Sequence, residues 1–219
     1  MCAMPKIKIC GVTNAEDALL AERLGADFIG IIFAQKSPRT VGIAAAKNIT
    51  AALKTAKTIG VFVEQTHKET AEIAAACGLW GVQHYTYFSQ GFADAQYIYA
   101  MRLGAPESAA VPQDFSLKFS LTGADYVLID SYDEKQHGGT GKVFDWAEIP
   151  SALPRARLFL AGGLNADNIG AAAGENVFAL DLSSGVEARP GHKDPEKLKQ
   201  LFINFKDAIA QLHDKDTVP

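Results

Sequence analysis

Short apolar runs recur along the chain, and each is followed by a stretch whose apolar positions repeat at helical spacing. Ile7-Lys8-Ile9-Cys10 is the first run and stops at Gly11. Thr13-Asn14-Ala15-Glu16-Asp17 then supplies capping and acidic first-turn residues for a helix reaching about Leu24, with Gly25 as its stop. Phe28-Ile29-Gly30-Ile31-Ile32-Phe33 is apolar almost throughout, the pattern of a parallel strand covered on both faces. The spacing predicts a helix over 44–53, a strand over 59–63, an Ala-rich helix over 68–76 closed by Gly78, and a strand over 81–85. A fifth strand is expected at 97–101, a helix at 114–121, and a sixth strand at 126–130. Leu158-Phe159-Leu160-Ala161 and Val177-Phe178-Ala179-Leu180 read as the last two strands, before a final helix over 195–212 and a frayed tail at about 214–219.

Eight strand-then-helix units within 219 residues predict an α/β fold, a (βα)8 TIM barrel with the whole chain as a single domain. An open doubly wound sheet is the alternative, and it calls for a glycine fingerprint after the first strand. The first βα turn here is Cys10-Gly11-Val12-Thr13, which lacks GxGxxG. The closed barrel is preferred.

Composition narrows the functional classes. A hydrophobic fraction of 48% and a charged fraction of 21% suit a globular protein with a sizeable core. No apolar run approaches the roughly 20 residues of a membrane span, and Met1-Cys2-Ala3-Met4-Pro5-Lys6 has no apolar secretory core. A net charge of −4 points away from nucleic acid and anionic lipid, so an anionic ligand must be held by a local site. Cys2, Cys10 and Cys77 form no CxxC pair and suggest free thiols in a reducing cytoplasm. The five histidines are scattered, so no metal is expected.

The richest chemistry lies at strand ends. Gly162-Gly163 after the seventh strand and Ser184-Gly185 after the eighth are turns whose backbone N–H groups can point outward. With the helix starts that follow, they make a phosphate cradle that needs no lysine, at the place where such barrels hold phosphate. The alternative is a pair of ordinary Gly-rich turns. Other strand ends bring Cys10, Gln83 or Tyr85, Asp130 and Asp181 to the same face. A thiolate at Cys10, helped by helix N-termini and little competing negative charge, can act as a general base. Asp130, partly buried, can act as a general acid. Cys10 can also be read as a small buried apolar residue, and Asp130 as a loop cap. Arg39, in the loop Ala34-Gln35-Lys36-Ser37-Pro38-Arg39-Thr40, places a cation at the mouth that can hold a carboxylate in two-pronged fashion. The long loop 131–146, with Gly138, Gly139 and Gly141, reads as a lid.

Together these segments resemble the phosphoribosylanthranilate isomerase family over nearly the whole chain. The resemblance rests on Lys8-Ile9-Cys10-Gly11-Val12-Thr13, Ser37-Pro38-Arg39, Val82-Gln83, Leu128-Ile129-Asp130-Ser131, Gly138-Gly139-Thr140-Gly141, Leu160-Ala161-Gly162-Gly163-Leu164, and Asp181-Leu182-Ser183-Ser184-Gly185-Val186-Glu187 through Asp194. It implies an Amadori rearrangement of N-(5-phosphoribosyl)anthranilate to 1-(2-carboxyphenylamino)-1-deoxyribulose 5-phosphate, with Asp130 as acid, Cys10 as base and Arg39 facing the anthranilate carboxylate. Gln83 and Asp181 then contact substrate, and Gly162, Gly163, Ser184 and Gly185 bind its phosphate. No cofactor or metal is implied, and the chain is expected as a monomer or homodimer. The chain departs from the family at Val82-Gln83-His84-Tyr85-Thr86, where Val-Gln-Leu-His-Gly is usual. The histidine, one position early, should point to the other side of its strand.

Two other readings share the features. A histidine-pathway or dual-substrate sugar-phosphate isomerase normally uses two aspartates and a doubled phosphate site, against which Cys10 argues. A catalytically silent barrel binding a phosphorylated metabolite is the second, against which the retention of both Cys10 and Asp130 argues.

Overall fold

The eight apolar runs close on themselves as a parallel barrel in the order β1-β2-β3-β4-β5-β6-β7-β8. The computed structural model describes residues 4–103, 123–131, 146, 149 and 153–216. The expected helix at 114–121 and the body of the 131–146 loop lie outside them. The barrel strands are β1 (Lys6–Ile9), β2 (Phe28–Ile32), β3 (Lys57–Phe62), β4 (Gly81–His84), β5 (Gln96–Leu103), β6 (Tyr126–Ser131), β7 (Leu158–Leu160) and β8 (Ala179–Leu182). Between and after them lie α1 (Ala15–Leu24), α2 (Ile43–Ala52), α3 (His67–Cys77), α4 (Ile169–Ala173) and α5 (Pro195–Asp216). A short hairpin, β9 (Glu187–Arg189) with β10 (His192–Lys193), sits between β8 and α5.

Local chemistry accounts for the element ends. The Asn14 side chain accepts the Asp17 amide at 2.8 Å to start α1, and Gly25 ends it at φ 121°. Thr66 and Glu69 form a reciprocal capping box on α3, which ends at Gly78 in the left-handed region.

Two expectations need correcting. β8 covers Ala179–Leu182 and not 177–180, because pairing begins at Lys6↔Ala179 and continues through Lys8↔Asp181. Phe178 lies in the turn before it, donating to the Arg155 and Leu158 carbonyls. An apolar-run reading stops at the first charge, whereas here the Asp181 carboxylate is carried inside the strand by a lysine partner. α5 also continues to Asp216, so residues 214–216 belong to the helix and not to a frayed tail.

Alternation sorts the strand side chains into two layers. Val82, Val127, Ile129, Leu160, Leu180 and their neighbours meet the helices, while Phe28, Ile59, Ile98, Ala100, Leu128, Phe159 and Ala179 fill the barrel. Each such Val, Leu, Ile or Phe side chain contributes about 1.5–3 kcal/mol by leaving water. At the N-terminal ends of the strands the interior is plugged by the rings of Phe28, Trp80, Tyr126, Phe159 and Phe178. Lys6 and Lys57 cap that plug, 5.3 Å from the Phe178 ring and 5.0 Å from the Trp80 ring. The polar chemistry is left to the opposite end.

Candidate active site

Among the described residues, the buried charged side chains of the barrel interior, Lys8 and Asp181, lie toward the C-terminal ends of its strands. Lys8 of β1 is fully buried, and its ammonium donates to Asp181 Oδ2 of β8 and to Gln83 Oε1 of β4, both at 2.7 Å. Transferring two charges out of water is costly, and such a pair survives only with short contacts and further hydrogen bonds. Burial pushes the Asp181 carboxyl up while the Lys8 charge pulls it down. Lys8 is held above its ordinary value: burial opposes its charge, but Asp181 and Cys10 outweigh that. Asp181 Oδ1 is buried without a hydrogen-bond partner among the described residues. Gln83 and Asp181 therefore form a floor one layer below the mouth, with Lys8 at its centre.

Cys10 stands two residues beyond Lys8 on the same face, its amide extending the ladder to Leu182 O at 2.7 Å. Room for its thiol comes from Gly30 on β2, where a Cβ would lie 2.7 Å from Cys10 Sγ and 2.9 Å from Cys10 Cα. The thiol is buried, and burial pushes it up from the ordinary cysteine value. Lys8 and Lys193 pull it down, while the Asp181 charge pushes the same way as burial. The expected help from helix N-termini is thus supplied by two lysines, and a competing negative charge is present after all.

Asp130, on the interior face at the end of β6, is half-buried and paired in register with Arg102 of β5. Just past the end of β4 stands Tyr85, packed against the interior cluster with the Arg102 guanidinium 5.0 Å over its ring. Burial pushes the Tyr85 phenol far up, and the charge of Asp130 adds to it, followed more weakly by Cys10 and Asp181. Cys10, Tyr85, Asp130 and Asp181 all lie toward the C-terminal ends of their strands in one closed barrel, so they share one mouth. His84 points the other way, as its parity predicts. Its ring stacks on Phe62, its Nε2 meets the Gln65 carbonyl at 3.0 Å, and its Nδ1 accepts the Thr86 amide at 2.8 Å. Burial holds that imidazole below its ordinary value, so it remains a neutral structural link.

Arg39 reaches the same rim but not alone. Its Nε and Nη2 form a two-pronged pair with Glu187, at 2.9 Å to Oε1 and 2.7 Å to Oε2. Those bonds raise the guanidinium further above its ordinary value, and the Cys10 side chain contributes in the same direction. Glu187 Oε1 also accepts from Lys193 Nζ at 3.0 Å, whose remaining donors go to the Cys10 carbonyl at 2.6 Å and the Ser183 carbonyl at 3.2 Å. The β9–β10 hairpin is thereby tied to the end of β1 and the Arg39 loop. Lys8, Glu187, Lys193 and Tyr85 were not singled out with their present roles from the sequence. The signal for Lys8 was there: a charged residue inside an apolar strand, sharing the parity of Cys10.

The two glycine turns face one another at the far rim. Gly162 and Gly163 adopt φ of 99° and 67°, backbone that a side chain would strain. Ser184-Gly185 lies in a 3-10 turn, Ser184–Val186, pressed so closely on the first turn that a Cβ on Gly185 would lie 2.1 Å from Leu164 O. Among the described residues, the amides of Gly162, Gly163, Ser184 and Gly185 donate to no protein acceptor. The start of α4 adds less than expected. Asn165 Oδ1 takes the amides of Asp167 and Asn168, and Asn168 Oδ1 takes that of Asn165. The free donors are those of the turns themselves. Among the described residues no group of His, Cys, Asp and Glu is arranged to hold a metal ion, and no helix is long and apolar enough to cross a membrane.

The chain as a whole has known relatives. The family profile for N-(5'-phosphoribosyl)anthranilate (PRA) isomerase matches residues 7–204. An N-(5'-phosphoribosyl)anthranilate isomerase of Citrifermentans bemidjiense is 38% identical over 208 residues, covering 93% of this chain and 98% of the relative. The crystal structure of phosphoribosyl anthranilate isomerase from Thermotoga maritima superposes with a TM-score of 0.78 at 31% identity, covering 93% of this chain and all of the other. A phosphoribosyl anthranilate isomerase in complex with reduced 1-(o-carboxyphenylamino)-1-deoxyribulose 5-phosphate superposes with a TM-score of 0.73 at 30% identity, covering 93% and 100% of the two chains. The closed barrel and the likeness over more than nine-tenths of the chain agree, and the chain belongs to the N-(5'-phosphoribosyl)anthranilate isomerase family.

Proposed function

We propose that the family's rearrangement is carried in this chain by Cys10 and Asp130, working from opposite sides of the barrel mouth above an anion-holding rim. The observation that carries this reading is positional: Cys10 extends β1 and Asp130 ends β6, both at the C-terminal ends of strands of one closed parallel barrel. The protonated Asp130 carboxyl gives its proton to the furanose ring oxygen as the anthranilate nitrogen lone pair opens the ring, leaving a cationic Schiff base. The Cys10 thiolate then takes the proton from the neighbouring sugar carbon. That C–H electron pair forms the new carbon–carbon double bond, and the imine pair returns to nitrogen. The resulting enolamine tautomerises to the ketone, and solvent restores both side chains. Every step moves protons and electron pairs within the substrate, so no cofactor or metal enters.

Binding divides along the same rim. The four amides of Gly162, Gly163, Ser184 and Gly185 receive the phosphate. Glu187 occupies the Nε–Nη2 edge of Arg39, which turns the Nη1–Nη2 edge toward the anthranilate carboxylate. Asp181 Oδ1, buried and unpartnered among the described residues, accepts from a substrate hydroxyl, with Gln83 beside it. A solved relative is in complex with reduced 1-(o-carboxyphenylamino)-1-deoxyribulose 5-phosphate, which supports a ligand carrying both a carboxylate and a phosphate. The whole chain acts as one domain in the cytoplasm, as a monomer or homodimer, with no nucleic-acid or membrane partner. Anthranilate-coupled turnover of Cys10→Ser and Asp130→Asn tests the roles. Each should fall at least ~100-fold while the fold survives, and near-normal turnover in either ends the assignment.

A further inference from the structure

We propose that Lys8 is a positioning residue for Cys10: its ammonium, pinned from below by Asp181 and Gln83, directs its remaining N–H at the sulfur and stabilises the thiolate. The inference rests on Cys10 being the base. It follows from donor counting within a fixed geometry. A lysine ammonium has three N–H donors. Those of Lys193 are all committed, to the Cys10 carbonyl, the Ser183 carbonyl and Glu187. Lys193 thus holds the Cys10 backbone and has no donor left for the sulfur. Lys8 spends two donors, on Asp181 Oδ2 and Gln83 Oε1. It is fully buried, so a third donor left without an acceptor would carry a heavy cost. Side chains two positions apart on a strand lie on one face, and the group above Lys8 on that face is Cys10. Burial pushes the Cys10 thiol up, and the charge of Lys8 acts against it, in favour of the thiolate.

The charged and titratable groups facing Cys10 from the surrounding elements are Asp181 of β8, Lys193 of β10, Arg39 of the β2 loop and Tyr85 at the end of β4. Asp181 is therefore a counterweight. It fixes the Lys8 ammonium in place, yet its own charge opposes the thiolate. Removing the ammonium and removing the carboxylate charge should move Cys10 in opposite directions. A purely structural role for the pair would move it in neither.

The test is ultraviolet titration of the Cys10 thiolate in the full chain, read as the difference from Cys10→Ser so that the other thiols and the tyrosines cancel. Lys8→Met should raise the midpoint by about one to three pH units. The pH limb of kcat/KM should move up with it, and activity should recover at alkaline pH. A folded Lys8→Met protein whose thiol titrates as in the parent overturns the proposal. Should that variant not fold, Asp181→Asn keeps the ammonium and serves alone. Its thiol midpoint should fall, and a midpoint unmoved or raised overturns the proposal. If the titrations shift as stated while Cys10→Ser keeps its turnover, the coupling stands and the base assignment falls.

Discussion

Arg39 and Glu187, 148 residues apart in sequence, meet in a two-pronged ion pair that leaves the arginine side chain 18% exposed and the glutamate 4%. A long, flexible arginine side chain at a rim would lose much entropy on meeting a ligand, and Glu187 removes that cost before binding. Glu187→Gln keeps the shape but loses the charge that fixes the guanidinium. Losing an orienting contact of about 1.5 kcal/mol corresponds to about a tenfold rise in KM. The proposed contact to the substrate carboxylate is one made alike in ground and transition states, so kcat should change little. Steady-state kinetics on Glu187→Gln check this, and a fall confined to kcat would count against the orienting role.

The same carboxylate makes stability depend on pH. Burial pushes Glu187 up, but the bonds from Arg39 and the charge and bond from Lys193 outweigh it and hold it below the ordinary glutamate value. A carboxyl with a lowered folded-state value adds stability that is complete above its unfolded value, and that is lost as pH falls through the folded one. The loss therefore belongs to the window below about pH 4.5, the ordinary glutamate value. Urea unfolding of parent and Glu187→Gln should differ clearly at neutral pH and converge in strong acid. Parallel curves across that range would show that the Glu187 charge is not what stabilises.

The fold was legible because eight covered strands write themselves as apolar runs and the caps at Asn14, Thr66, Gly25 and Gly78 punctuate them. The mouth was legible too, since strand-end parity alone put Cys10, Asp130 and Asp181 on one face. What hydrophobicity could not convey was the ionic floor. Lys8 and Asp181 look like interruptions of their strands until they are seen to neutralise one another at 2.7 Å. That blindness also displaced β8 by two residues. Glu187 and Lys193 were hidden for a different reason: their meaning lies in contacts with the Arg39 loop and the end of β1, a relationship between distant segments. His84 shows the converse, because strand parity sufficed to send it away from the site and give the mouth to Tyr85.

Gly30 reserves the space of the Cys10 sulfur. An added Cβ would meet Cys10 Sγ at 2.7 Å and Cys10 Cα at 2.9 Å. The backbone atom cannot yield as a side-chain tip would, so β1 and β2 must separate locally. Overpacking of this kind costs about 1–3 kcal/mol. A displacement of about 1 Å at the reacting group can cost about 100-fold in rate. Gly30→Ala should therefore lower kcat far more than it weakens binding of a product analogue, with a reduced Tm. Unchanged kcat in a folded Gly30→Ala protein would mean that the sulfur is not held against β2 during turnover.

Gly185 does for the phosphate rim what Gly30 does for the thiol. A Cβ there would lie 2.1 Å from the Leu164 carbonyl oxygen and 3.0 Å from Asn165 Cβ. Gly185→Ala must push the β8 turn off the β7 turn and disperse the four amides that converge between them. The barrel below is untouched, since Leu164 and Gly185 both lie beyond the strand ends. Affinity for a phosphorylated product analogue should fall about tenfold or more, the worth of one or two charge-assisted hydrogen bonds. Affinity for the same analogue without its phosphate should stay as in the parent. Calorimetric titration of both ligands separates the cases. Equal losses for the two would place the damage in the pocket as a whole, and no loss for either would remove the phosphate from these turns.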